Sequence, residues 1–127
     1  MSKEKGLNIT ITPKSQKIID KFLETSLIGN NDSEIAKIAI SYALGNNYDV
    51  GIDLDTYELG KTNNKWAIGT ILEPYFNDVI KVLRPEVKNI NMAVRNLIDI
   101  GLKKMEEDLW NDSINGFEIT KLFEQKI

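Results

Sequence analysis

The sequence contains neither cysteine nor histidine. Without cysteine, the chain cannot form disulfides, thiolate metal sites or cysteine nucleophiles. Without histidine, it lacks the usual general base near neutral pH and the commonest zinc ligand. No serine stands in a nucleophile-elbow pattern either. The composition therefore predicts a protein that is not an enzyme, and we expect no catalytic residue, metal ion or cofactor.

Long apolar runs are also missing. No segment approaches the ~20 consecutive apolar residues that a membrane-crossing helix requires. The opening segment MSKEK is charged and has no apolar core of the kind that secretory signals carry. We therefore expect a cytoplasmic protein with no membrane partner. The chain of 127 residues, 42% apolar and 28% charged, has the size and composition of one folded domain over residues 1–127, or of two very small domains that share a core.

The charge balance is slightly acidic, with a net charge of −3. This balance argues against a protein that binds nucleic acid by bulk electrostatics. The distribution along the chain is uneven, because residues 1–25 carry five lysines against three acidic residues. A polyanion is therefore expected to contact the N-terminal face of the fold.

A short alternating segment, LNITIT at residues 7–12, predicts a strand with an apolar and a polar face. The apolar positions are Leu7, Ile9 and Ile11, and the outward polar positions are Asn8, Thr10 and Thr12. Thr12 and Pro13 then predict the N-cap and the first turn of a helix. A lone strand must pair with another strand to satisfy its backbone. We expect its mate to be the same strand of a second copy of the chain.

Helical periodicity follows the strand. Apolar residues between Ile18 and Leu27 predict an amphipathic helix that Gly29 ends. Asp32 or Ser33 is expected to cap a second helix, which is apolar over more than half its circumference at residues 35–44. We expect this helix to be buried against several neighbours, including another subunit, and a monomer to be unstable alone.

The second half of the chain predicts further helices. Pro74 suits the start of one helix, which Arg84 and Pro85 end. Asn89 or Asn91 is expected to cap the next helix, and a last short helix is expected at residues 117–123. The predicted fold class is therefore mainly α, with a ribbon-helix-helix-like strand-helix-helix segment followed by further helices.

An acidic connector at residues 46–65 separates the strand-helix-helix half, residues 7–45, from the helical half, residues 66–127. The connector is rich in Gly, Asp and Asn, which predicts an ordered loop or a small hairpin. The spacing of its carboxylates matches no calcium-binding loop, so we predict no metal site there.

Residues 7–45 follow the ribbon-helix-helix plan of strand, helix, glycine turn and helix. Within them, GNNDSEIAKIAISYAL at 29–44 resembles the second-helix signature of that family. In such proteins, strands from two chains form a ribbon that lies in the major groove of DNA.

Such a ribbon would let Asn8, Thr10 and Thr12 contact base edges or thymine methyl groups. The helix start at Asn30–Ser33 could hold a phosphate through free backbone N–H groups, with Asn30 and Ser33 at its two ends. The alternative is a half-buried strand whose Asn and Thr side chains face water, since no basic residue stands on its outward positions.

A longer resemblance covers roughly residues 7–110. It includes SYALG at 41–45, the acidic glycine-containing loop, NKWAIG at 64–69 and EPYF at 73–76. These segments resemble the DndE family, whose small, mostly helical members belong to the bacterial DNA phosphorothioation (DNA sulfur modification) system. The resemblance implies a non-catalytic component that associates with DNA and with other proteins of this machinery. It also implies a tetramer that binds nicked duplex through lysines near the N-terminal face. We therefore expect a homo-oligomer, a dimer or tetramer.

The lysines that fit this implied role are Lys14, Lys17 and Lys21, which share one helical face. The alternative for these three residues is an ordinary solvated helix face. Two other functions stay open at this point. One is a ribbon-helix-helix transcriptional regulator or antitoxin-like repressor, and the other is a protein–protein interaction module that does not bind DNA.

Overall fold

The computed structural model describes residues 8–25, 32–57, 64–67, 74–114 and 116–118. These residues form β1 (Asn8–Ile11), α1 (Pro13–Thr25), α2 (Asp32–Gly45), β2 (Asn64–Ala67), α3 (Pro74–Leu83), α4 (Ile90–Leu109), β3 (Trp110–Asn111) and β4 (Gly116–Phe117). The predicted mainly helical class is confirmed. None of the described helices is long and apolar enough to cross a membrane.

Local capping chemistry fixes the starts of α1 and α4. The Thr12 hydroxyl accepts the Ser15 backbone N–H at 3.0 Å, which makes Thr12 the N-cap of α1, as the sequence predicts. The Asn89 side chain accepts the Met92 backbone N–H at 3.1 Å and caps α4. Of the two predicted caps for α4, Asn89 is therefore confirmed.

The predicted third helix agrees with the structure, whereas the helix predicted for the C-terminal segment does not at its start. As predicted, α3 begins at Pro74 and ends before Arg84 and Pro85. The helix predicted to begin at Phe117 is wrong at its start, because Phe117 lies in β4 and pairs with Trp110. A two-residue strand is too short to leave a periodic signal in the sequence. The rest of that predicted helix, like the predicted Gly29 helix end, lies outside the described residues.

The core forms where α2 crosses α4. Ile35, Ala36, Ala39, Ile40 and Ala43 are fully buried within the single chain. A methyl group added at Gly101 of α4 would collide with the backbone carbonyl of Ala39, so the two helices touch backbone to backbone. The expectation that another subunit helps to bury these residues of α2 is therefore wrong, whereas the homo-oligomer itself stays a prediction. The 20-residue α4 and the alanines of α2 permit an approach that covers α2 from within the chain.

The first strand finds its mate in the same chain. β1 pairs antiparallel with β2, which places Thr10 opposite Lys65 and Ile11 opposite Asn64. Ile11 is 2% exposed and joins the core of its own chain. The prediction that a second copy supplies the mate is wrong for the edge of β1 that β2 occupies. Alternation indicates which side chains face a core, but it does not indicate which strand completes the pair.

The connector is ordered where the structure describes it. Residues 46–57 form consecutive turns, with Asp49 and Leu54 buried. Leu54 belongs to the same buried cluster as residues of α1, α2 and α4, so the predicted halves share one core. This confirms the expectation of an ordered loop for this part of the connector, and β2 supplies a strand near its end.

Candidate nucleic-acid interface

Two of the three predicted lysines lie in solvent on the first turns of α1. Lys14 and Lys17 are exposed, whereas Ser15 and Ile18, which follow them directly in the chain, are buried. Neither lysine forms an ion pair with a residue that the structure describes. The N-terminal end of a helix adds partial positive charge to this position. These features make the first turns of α1 a surface where an anionic polymer can bind.

The third predicted lysine has a different environment. The Lys21 Nζ lies 2.7 Å from a carboxylate oxygen of Glu106. The same ammonium lies 4.6 Å from the centroid of the Trp110 ring, a distance at which cation–π attraction operates. Lys21 therefore links α1 to α4 and β3. This side chain cannot contact a phosphate without giving up at least part of these interactions.

The polar residues of the first strand separate into two groups. Thr12 is only 9% exposed and caps α1, so its prediction as an outward contact is wrong. Asn8 and Thr10 lie in β1, opposite Ala67 and Lys65 in the register of the ribbon. The direction of their side chains is outside what the structure describes. Lys65 adds a basic residue to the ribbon that is not among the predicted site residues, because the pattern around it does not predict a strand.

The predicted phosphate site at the start of the second helix is described only in part. Ser33 lies in the first turn of α2, which begins at Asp32. The direction of the Ser33 side chain is not described, and Asn30 lies outside the described residues. This predicted site therefore stays a prediction.

A buried carboxylate lies behind the exposed lysines. Asp99 is 2% exposed, and one of its oxygens accepts the Ser15 hydroxyl at 3.0 Å. Its other oxygen accepts the Tyr57 hydroxyl at 3.0 Å and lies 3.1 Å from the Lys103 Nζ. One carboxylate of α4 thus holds the first turn of α1 and the connector at the same point.

The pKa shifts in this cluster follow from its geometry. Burial, together with the charge of Asp99 and the hydrogen bond to it, raises the pKa of Tyr57 above its ordinary value. Burial acts to lower the pKa of Lys103, but the hydrogen bond to Asp99 and its charge outweigh this effect and raise the pKa. At neutral pH the Tyr57 hydroxyl is therefore protonated and able to donate, and Lys103 is charged.

A second carboxylate on α4 holds two tyrosines. The hydroxyls of Tyr42 and Tyr48 each donate to the same Asp108 oxygen at 2.6 Å. Burial and the hydrogen bond to Asp108 raise the pKa of Tyr42, and the hydrogen bond is the larger cause of the raised pKa of Tyr48. Raised pKa values keep both hydroxyls protonated, which suits links from α2 and the connector to α4 and not a tyrosine that acts as a base.

The groove beside Arg84 is a less suitable anion site. It has a volume of about 740 Å³ and carries side chains of both charge signs; its lining residues are Gly51, Ile52, Asp53, Asp55, Thr56, Arg84, Glu86 and Lys88. The Asp55 carboxylate already accepts the backbone N–H groups of Lys88 and Asn89 at the start of α4. Arg84 itself is engaged with buried Asp49, at 3.0 Å from the carboxylate. An anionic ligand would therefore meet a site already occupied by the chain's own carboxylates.

Comparison with protein-family models, with curated proteins and with solved structures found no match to this chain. The described residues contain no group of three or more potential ligands that could hold a metal ion.

Proposed function

We propose that this protein is a non-catalytic, DNA-binding accessory component of bacterial DNA phosphorothioation. The observation that supports this proposal best is the exposure of Lys14 and Lys17, without ion-pair partners among the described residues. The engagement of Lys21 with Glu106 narrows the proposed contact to the first turns of α1. The resemblance to the DndE family supplies the biochemical setting.

The expected contact is weak in a single copy. Two lysines neutralise about two phosphates, and each contributes about −0.9 to the slope of log affinity against log salt. The net charge of −3 repels the rest of the duplex. Useful affinity therefore requires several copies, or partner proteins of the same machinery, bound side by side on the DNA.

The β1–β2 ribbon offers a further contact. A two-stranded antiparallel ribbon has the dimensions that a B-DNA major groove admits. In this chain both strands come from one copy, and Thr10 lies opposite Lys65. We propose that these two positions, with Asn8, make secondary contacts and that Lys14 and Lys17 supply most of the affinity.

Binding measured by fluorescence anisotropy at low salt tests this function. We expect nicked duplex to bind more tightly than intact duplex, with little dependence on sequence. Charge reversal in the variant Lys14→Glu/Lys17→Glu should weaken affinity about tenfold or more for every duplex tested. Lack of duplex binding by the natural protein would falsify the proposal.

A matched control separates local contact from net charge. The variant Lys88→Glu/Lys104→Glu changes the net charge by the same amount at two residues away from α1. Lys88 is exposed. Lys104 makes a surface ion pair with Glu107 and lies 5.1 Å from the centroid of the Tyr48 ring, and at a surface position these contacts contribute little stability. If this control weakens binding as much as the α1 variant, the assignment to α1 is wrong.

A second candidate function, a protein–protein interaction module, is favoured by an exposed apolar patch. Val50, Val82 and Leu83 are 63%, 75% and 53% exposed. Val50 and Leu83 also line a small cavity of about 100 Å³. The occupant we propose for this patch is a second copy of the chain, in keeping with the homo-oligomer that the resemblance implies.

Solution mass tests this oligomer. We expect Val82→Glu to lower the mass measured by light scattering, because a charge would be placed in an apolar contact. Ile114 is 61% exposed elsewhere on the surface, so Ile114→Glu is the matched control and should leave the mass unchanged. A natural protein that is monomeric at high concentration would contradict this use of the patch.

A further inference from the structure

The first turn of α1 is held in one orientation by a buried serine. Ser15 is 1% exposed, and its hydroxyl donates to Asp99 at 3.0 Å. Its backbone N–H donates to the capping Thr12 hydroxyl, also at 3.0 Å. Ser15 is therefore held by two hydrogen bonds, one to Thr12 earlier in the chain and one to Asp99 of α4.

Helix geometry links this serine to the exposed lysines. Successive residues of an α-helix are rotated by about 100° around its axis. Lys14 and Lys17 therefore lie about 60° apart, on the side of α1 away from Ser15. Because the Ser15 side chain is held towards the core, Lys14 and Lys17 are directed towards solvent. A rotation of this turn about the helix axis would carry one of the two lysines towards the core.

The acceptor of this serine is itself held firmly. Asp99 is 2% exposed and receives the Tyr57 hydroxyl at 3.0 Å and the Lys103 ammonium at 3.1 Å. These donors come from the connector and from α4, while Ser15 comes from α1. Hydrogen bonds depend on direction, whereas apolar contacts alone allow packed helices to shift.

We propose that Asp99 is a positioning residue for the DNA-binding face, acting through Ser15 to set the direction of Lys14 and Lys17. This inference rests on the proposed DNA-binding function. Two lysines must meet two phosphates at the same time, so a turn that is already ordered loses less conformational freedom on binding. Asp99 therefore increases the affinity for DNA without changing the number of phosphates that the protein contacts.

Two variants, each of which removes one hydroxyl that donates to Asp99, test the proposal. Ser15→Ala removes the hydrogen bond from α1, and Tyr57→Phe removes the one from the connector. We expect both variants to lose a similar amount of stability, because each loses one hydrogen bond to the same acceptor. Ser15→Ala should weaken duplex affinity about three- to tenfold with an unchanged salt slope, while Tyr57→Phe should stay within about twofold of the natural protein.

The possible results separate this inference from the function on which it rests. If the natural protein binds no duplex, or Lys14→Glu/Lys17→Glu binds as the natural protein does, the proposed function fails. If that function holds but Ser15→Ala and Tyr57→Phe bind equally well, Asp99 has a purely structural role and the inference is overturned. A flatter salt slope in Ser15→Ala would overturn it as well, because it would mean that a phosphate contact had been lost.

Discussion

Helix α1 rests on α4 at two places whose environments differ. Near its start, Ser15 donates to Asp99, which is almost completely buried. Near its end, Lys21 meets Glu106 where the two side chains are 41% and 29% exposed. The buried contact leaves the neighbouring lysines in solvent, whereas the exposed contact engages a lysine directly.

This difference shows how the same residue type takes different roles on one helical face. Lys14, Lys17 and Lys21 share a face by spacing, and nothing local distinguishes them. What α4 and β3 bring opposite each lysine decides its role. Glu106 and Trp110 lie beside Lys21, and no described acidic residue makes an ion pair with Lys14 or Lys17.

The largest expected effect is on stability at the buried contact. Asp99→Ala leaves the hydroxyls of Ser15 and Tyr57 without their acceptor, while Lys103, 40% exposed, can turn towards water. We expect a loss of about 2–4 kcal/mol in the free energy of unfolding, measured by urea denaturation. Asp20→Ala is the control, since Asp20 is an exposed residue whose carboxylate accepts a hydrogen bond from Gln16; it should lose no more than about 0.5 kcal/mol. Equal losses would mean that burial does not distinguish the two carboxylates.

A smaller effect is expected at the exposed contact. Lys21→Met removes the ion pair and the cation–π contact but keeps most of the apolar stem. We expect the free energy of unfolding to fall by about 0.5–1 kcal/mol and to become less sensitive to salt. Lys14→Met serves as the control and should change stability by less than about 0.5 kcal/mol. If Lys14→Met lost more unfolding free energy than Lys21→Met, the contacts of Lys21 with Glu106 and Trp110 would not be the ones that stabilise α1.

The smallest effect concerns alkaline pH. The pKa of Tyr57 is raised above its ordinary value of 10.0, so folding favours its protonated form. This stabilisation is complete below about pH 10 and is lost as the pH rises through the raised pKa. At pH 10.5 the loss from this tyrosine is below about 1 kcal/mol.

Urea denaturation at pH 9 and pH 10.5 measures this loss. Tyr42, Tyr48 and Lys103 have pKa values shifted in the same direction, so the natural protein should lose stability between the two pH values. Tyr57→Phe should lose less than the natural protein over this interval. An equal loss would exclude Tyr57 as one source of the alkaline sensitivity.

Sequence predicted those features that depend on neighbouring residues. Thr12, Pro74 and Asn89 start helices through local backbone chemistry, and their predicted positions agree with the structure. The strand that pairs with β1 was not predictable in this way. Thr10 and Lys65 lie opposite each other in the ribbon, but they are separated in the sequence by two helices and most of the connector.

The buried network behind the lysines escaped prediction for the same reason. Ser15 and Asp99 stand 84 positions apart, and each has an unremarkable place in an amphipathic helix. The sequence offered one signal for this network: Ser15 and Asp99 are polar residues on the buried sides of two predicted helices. Spacing alone groups Lys21 with Lys14 and Lys17, because it cannot reveal that Glu106 lies opposite Lys21.

We propose that Lys14 and Lys17 contact phosphates and that Lys21 does not. The most direct test compares the salt dependence of duplex binding for Lys14→Gln/Lys17→Gln and for Lys21→Gln. We predict that the double variant flattens the slope of log affinity against log salt by about 2, close to the value for two lost phosphate contacts, and that Lys21→Gln leaves the slope unchanged. A slope flattened by Lys21→Gln and left unchanged by the double variant would overturn this assignment of the three lysines.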